Sequence, residues 1–286
     1  MKKIISLLIA CSVLAGCCCC EKCPQKTGYA PKYRKVALHG YVYRKVKTLE
    51  ETVLEAKALG ADGVVCSRTQ KIAERFGDAK FDIKMTPEQK EFVKKLFADN
   101  HIDFVSFGVW DIGKKETPDM YLSFCAEMGI PVFTWEGEWS KLDLWNEAAK
   151  KYGVKVAIHN HQRGMKTGRK EYKNWNPEFV WEAIKDRPYL YACADNGHWT
   201  RSGLDTPAGY RALHGRMAAI HFKDPAVFGA ENKTDAAIGE GVLDIPACLA
   251  ALDELGYDGY LVLENECVSD NPTETMRKGI EYLRKH

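Results

Sequence analysis

The sequence predicts a single α/β domain folded as a closed (β/α)8 TIM barrel, preceded by an N-terminal lipoprotein signal. Three observations predict it. Between Lys35 and His286, short apolar runs alternate with capped amphipathic stretches, and eight such strand–helix units in about 250 residues are the repeat of a barrel. The runs in the second half stop at His, Asp or Glu. A strand buried on both faces has no packing reason to end so, because an unpaired buried polar group costs roughly 1–3 kcal/mol. Finally, His39-Gly40-Tyr41-Val42-Tyr43 after the first run is not GxGxxG, which argues against a doubly wound nucleotide-binding sheet.

The elements follow in order. Val36 to His39 reads as the first strand, and Thr48-Leu-Glu-Glu51 is a capping box opening a helix that Gly60 ends. Gly63 to Ser67 is the second strand; Thr86-Pro87-Glu-Gln89 starts a helix with apolar Phe92, Val93, Leu96 and Phe97 on one face. Phe104 to Phe107 and Pro131 to Trp135 are the third and fourth strands, each followed by a helix, Met120 to Met128 and Leu142 to Tyr152. Val154 to His159 is the fifth, and after a basic loop carrying Arg163, Lys166, Arg169 and Lys170, Asn176-Pro177 opens a helix. Tyr189 to Asp195, Ala218 to Lys223 and Gly259 to Glu264 complete the eight. Asp244-Ile-Pro246 and Asn271-Pro272 open the last two helices.

The chain has 286 residues, 45% hydrophobic, ample for a sizeable core, and its formal charge of +2 offers no bulk attraction to nucleic acid. Met1-Lys2-Lys3 and the apolar Ile4 to Ala10 form an export signal too short to span a bilayer comfortably. Leu14-Ala15-Gly16-Cys17 resembles a bacterial lipobox, which implies a signal at 1–16, a lipid on Cys17, a tether over 17–34 and a barrel over 35–286. The expected location is then the periplasmic side or the outer membrane. Six of the eleven cysteines crowd the first two dozen residues; Cys66, Cys125, Cys193, Cys248 and Cys267 are scattered singly, as buried free thiols are.

In a barrel, His159, Asp195, His221 and Glu264 fall at the carboxyl ends of strands five to eight, which are neighbours. Two imidazoles and two carboxylates make a mixed nitrogen and oxygen set suited to one divalent ion, Zn²⁺, Mn²⁺ or Co²⁺. Glu264 and Glu266 point to the same side of their strand, so ligand and base are interchangeable between them at this stage. Trp135 and Trp199 stand at strand mouths where an aromatic floor can stack on a ligand ring, and His39 ends strand one.

The segments Val156-Ala-Ile-His-Asn-His161, Ala194-Asp-Asn-Gly-His198, Ile220-His-Phe-Lys-Asp224 and Gly239-Glu-Gly-Val-Leu-Asp-Ile-Pro246, with Gly256-Tyr-Asp-Gly-Tyr260 leading to Glu264, resemble the xylose-isomerase-like sugar phosphate isomerase/epimerase family. The resemblance implies Asp195, His221 and Glu264 as metal ligands and His198 and Lys223 as residues facing a sugar. It departs at His159, where many members carry a glutamate that also moves the proton.

The reaction expected is isomerisation or epimerisation through loss of the proton α to a metal-bound carbonyl. Glu264 or Glu266 serves as base, His161 or Glu136 as its partner on the other face, and Lys223 and His198 lie beside the sugar. An exported enzyme rarely meets sugar phosphates, so a non-phosphorylated sugar or keto-sugar is the expected substrate. Two alternatives stand beside this: β-elimination from a 3-keto-glycoside at the same site, and a tethered sugar-binding protein without catalysis. Oligomeric state is not legible.

Overall fold

A computed structural model describes residues 32–113, 115–165, 172–230, 234–266 and 272–286. The export signal, Cys17, Cys267, Asn271 and the loop residues Lys166, Arg169 and Lys170 lie outside the described residues.

The strands are β1 (Lys35–His39), β2 (Gly63–Cys66), β3 (Asp103–Trp110), β4 (Val132–Trp135), β5 (Lys155–His159), β6 (Leu190–Asp195), β7 (Met217–Phe222) and β8 (Tyr260–Leu263). All pair in parallel with their sequence neighbours, and β8 closes onto β1, giving one barrel. The helices are α1 (Gly40–Tyr43), α2 (Leu49–Leu59), α3 (Pro87–Asn100), α4 (Pro118–Met128), α5 (Leu142–Tyr152), α6 (Pro177–Ile184), α7 (Asn196–Arg201), α8 (Thr206–Ala212), α9 (Ile245–Glu254) and α10 (Thr273–Lys285). The expected capping box forms between Thr48 and Glu51, and the helix start at Thr86 proves to be a second one, with Gln89. Sequence reading passed over α8, although Asp205 caps it with Pro207 in its first turn, which is an ordinary start signal.

The barrel interior explains where the chemistry falls. Ala37, Val65, Val105 and Val262 form one inner cluster, and Val132, Ala157, Cys193 and Ala219 another. These small and branched side chains plug the barrel. Because strand side chains alternate, the next inward positions are two residues further on: His39, Ser67, His159, Asp195, His221 and Glu264, every one of them buried. The outward residues pack against the helices in a single large core that includes Phe107, Phe133, Trp135 and Trp145.

Three side chains lock the strand ends where the ladder stops. Asn160 accepts the Asp195 N–H at 2.8 Å and donates to the Asp195 carbonyl at 2.9 Å. Asn196 accepts from the Lys223 N–H at 2.8 Å. Asp224 accepts backbone N–H bonds from Gly239, Gly241 and Leu243 at 2.9–3.0 Å, so the Gly239-Glu-Gly segment is a loop wrapped round one carboxylate. Gly241 is required there, since a Cβ would stand 2.1 Å from Asp224 Oδ1.

Asp224→Ala should orphan three partly buried N–H groups and lower stability by roughly 2–4 kcal/mol. Urea unfolding measures this, and a loss under about 0.5 kcal/mol would mean the loop is held by something else.

Candidate metal and sugar site

Asp195 is the pivot. Its Oδ1 accepts the His198 N–H at 3.0 Å and so caps α7, which leaves Oδ2 to face the barrel mouth. Around that oxygen stand Lys223 Nζ at 2.7 Å, His159 Nε2 at 3.5 Å, His198 Nε2 at 3.7 Å and His221 Nδ1 at 3.9 Å. Asp195 and His221 are register partners on neighbouring strands. Glu264 completes the group: Oε2 lies 2.9 Å from His221 Nδ1 and 3.0 Å from Lys223 Nζ.

His159, Asp195, His221 and Glu264 each offer one atom, all within 4.8 Å of one another. Both ring nitrogens of His159 and of His221, and Glu264 Oε2, are buried without a well-directed hydrogen bond, the 2.9 Å and 3.0 Å approaches to Glu264 Oε2 being close but poorly aligned. Orphaned buried polar atoms are costly unless something else satisfies them, and a divalent ion would take one nitrogen from each imidazole together with a carboxylate oxygen from Asp195 and from Glu264. The residues therefore fit a metal. Cys193 stands next to His159 and His221 in an overlapping group, but burial pushes its thiol up, which keeps it protonated and favours the nitrogen and oxygen set.

Electrostatics divide the imidazoles: burial disfavours the His221 cation, but Cys193 and Glu264 outweigh it and hold the ring well above its usual range, so an ion would have to displace that proton. Burial pushes His39 down to about 3 and His159 down to about 4, leaving neutral imidazoles, the form that ligates. Burial also carries His198 well below its usual range. Burial pushes the Asp195 carboxyl up, but His198, Lys223 and His159 outweigh it and hold it ionised. Glu264 is ionised in the same way, burial being overcome by His39, Lys223 and His221. Burial disfavours the Lys223 ammonium, yet Asp195, Glu264 and Glu266 keep it charged.

Above the cluster opens a cavity of about 460 Å³. His39, His159, His161, His198, Lys223, Glu264 and Glu266 line it, together with Tyr41, Ser67, Arg68, Thr69, Trp110, Gln162 and Met165. Glu264 is buried in the cluster while the Glu266 side chain is 26% exposed in the cavity; Asp235, ion-paired with Arg201, accepts the Glu266 N–H at 2.9 Å and holds it in place. His161 Nδ1 is 2.7 Å from Glu136 Oε1, and the His161 ring lies 4.8 Å from that of His159 and 4.6 Å from that of His198.

Two expectations are corrected. Trp135 and Trp199 do not form a floor for the sugar. Val132 faces the barrel interior, so by alternation Thr134 and Glu136 also face inward and Trp135 faces the helices, where its ring sits 5.3 Å from Trp145. That parity was readable in the sequence. Trp199 is buried between α7 and α8, against Gly209 and 5.6 Å from Tyr210. The aromatic walls are Trp110 and Tyr41 instead. Trp110 was missed because β3 runs past Phe107, through register shifts against β2 and β4.

Residues 53–286 match the family described as xylose isomerase-like TIM barrel. An inosose dehydratase from Lacticaseibacillus casei is 26% identical over 173 residues, 54% of this chain and 56% of that protein, so the chain spans little more than half the length of that relative. A crystal structure of an uncharacterised Parabacteroides distasonis protein superposes with a TM-score of 0.70 at 27% identity, over 88% of this chain and 98% of that one. Two more distant structures share the fold: the IolI protein with a bound zinc atom (TM-score 0.68, 15% identity, 86% and 95% coverage) and 3-keto-D-glucoside 4-epimerase from E. coli (0.65, 14%, 88% and 100%).

Purified protein should carry about one divalent ion per chain by mass spectrometry. Asp195→Ala and His221→Ala should each lose it; retention in both variants would remove the ion from this cluster.

Proposed function

The chain belongs to the xylose isomerase-like TIM barrel family, and from that premise we propose a metal-dependent enzyme that removes the proton α to a carbonyl of a non-phosphorylated sugar and expels the substituent at the β position. The single observation that carries this reading is the pair of opposed acid–base groups around the candidate ligands: Glu266 on one wall, and His161 hydrogen-bonded to Glu136 on the other.

His159, Asp195, His221 and Glu264 would hold the ion, which as a Lewis acid would polarise the sugar carbonyl. Glu266, open to the cavity and 3.5 Å from Lys223 Nζ, takes the α proton as its general base. Lys223, buried and charged, steadies the negative charge that grows on the carbonyl oxygen. The electron pair left by the proton forms a carbon–carbon double bond as the β carbon–oxygen bond breaks. His161, oriented by its contact with Glu136, gives a proton to the departing oxygen. His198 and His39 border the same space.

Sequence reading placed isomerisation or epimerisation ahead of elimination. Two features reverse that order: His159 supplies no carboxylate at β5 to shuttle a proton, and a carboxylate-backed imidazole is a better donor to a leaving oxygen than to carbon. Curated relatives named inosose dehydratase point the same way. Epimerisation remains the second reading, because Glu266 and His161 approach the cavity from opposite walls and could remove and return a proton on opposite faces. In both readings the proposal retains a lipid anchor on Cys17 and an exported location, which favour an uncharged or oxidised sugar over a phosphate.

Glu266→Gln should keep its metal and lower kcat by about 100-fold or more, whereas Glu264→Gln should lose the metal and all turnover. Equal metal loss in both would reverse the assignments of ligand and base. With a 3-keto-glycoside, product analysis should find one aglycone released per sugar consumed; a product of unchanged mass would move epimerisation to the front.

A further inference from the structure

The cavity wall opposite the candidate ligands takes no part in this chemistry. Ser67, Arg68 and Thr69, which follow β2, form it with Trp110 at the end of β3. One lysine and one arginine line the cavity among the described residues, Lys223 and Arg68. Lys223 lies among Asp195, Glu264 and Glu266 on the side of the reacting carbons. Arg68 has no carboxylate partner there; its guanidinium carbon instead sits 4.8 Å from the centre of the Trp110 ring.

That placement is specific. A guanidinium resting on an indole face keeps its donors in a fixed planar fork and loses little freedom when it pairs. The fork matches the two oxygens of a carboxylate. Its flanking residues are ordered too: Ser67 Oγ and Thr69 Oγ1 are 2.8 Å apart, and the Thr69 N–H turns back toward Ser67 Oγ. A phosphate site gathers several cations or a nest of backbone N–H groups, and one guanidinium beside two hydroxyls is a smaller device.

We propose that Arg68 receives a carboxylate carried by the substrate at the end remote from the reacting carbons, so that the substrate class is a keto-sugar acid. The inference rests on the reading that the reacting carbons face the cluster from His159 to Glu264, and it names a specificity-determining residue on the other wall.

Three ketoses that differ only at the far end test it with manganese-loaded full-length protein: D-fructose, D-fructuronate and D-fructose 6-phosphate. Exchange of the hydrogen beside the ketone in D₂O gives kcat and KM, and calorimetry gives affinity independently. Expected is a preference for D-fructuronate over D-fructose of about tenfold or more, residing in KM and in affinity. In Arg68→Gln the ratio should collapse to near unity, with Arg68→Lys between. Equal handling of the two by wild type, a preference that survives in Arg68→Gln, or a preference for D-fructose 6-phosphate over D-fructuronate would each overturn the proposal. Absence of exchange from all three would count against the proton-abstraction reading alone, because calorimetric discrimination lost in Arg68→Gln would still establish the carboxylate subsite, and absence of discrimination would refute it.

Discussion

The site depends on how Asp195 is held. A carboxylate with no exposure at the mouth of a packed barrel is tolerable only if both oxygens are occupied, and the two are occupied differently. Oδ1 is spent on the backbone, capping α7, while Oδ2 meets Lys223 and faces three imidazoles. One residue thus ends a strand, starts a helix and supplies a negative charge at a fixed point. Lys223 is held between Asp195 and Glu264 for the same reason: a buried ammonium needs opposite charges at contact distance. With Glu266 included, three carboxylates still outnumber the Lys223 ammonium and the protonated His221, and neutral His39 and His159 add no positive charge. The residual negative charge is the electrostatic counterpart of the orphaned imidazole nitrogens, and a divalent cation answers both.

The neighbours of the chemical residues make this arrangement rigid. Asn160 sits between His159 and His161, and Asn196 follows Asp195; each spends its amide on backbone of the adjoining strand rather than on substrate. Asn174 donates to the His159 carbonyl, and Trp139 donates to Asn174. Past the last ladder bond, these amides continue the pairing that the sheet can no longer supply, so the side chains at the rim need not hold up their own backbone. Asp224 does the same for the loop after β7. Preorganisation of this kind separates a site able to stabilise a developing charge from a set of merely adjacent polar residues.

Much of the site was legible in one dimension because an apolar strand that stops at a polar residue announces its inward end. His159, Asp195, His221 and Glu264 were found by that rule and lie together. The rule failed where the strand did not behave as a regular strand. β3 carries register shifts, so Trp110 could not be placed by counting from Val105, and Arg68 lies beyond the end of β2 in a turn whose direction has no periodic signature. Trp135 was misplaced for the opposite reason: strand-end position was weighed above alternation, and alternation turns it toward α5.

By itself, the sequence determined the eight units, their caps, and the identity of the side chains at each strand end, because periodicity, capping and burial are local properties that read along the chain. The closed structure decided what those ends do to one another. Only when β8 pairs with β1 does Glu264 come beside His39, and only the packing of neighbouring strands in register sets Asp195 against His221 and presses Lys223 between two carboxylates. Contacts of about 3–4 Å between residues tens of positions apart, such as His159 with Asp195 and Lys223 with Glu264, are settled by tertiary packing, and with them how deeply each imidazole and carboxylate is buried and which charges it faces.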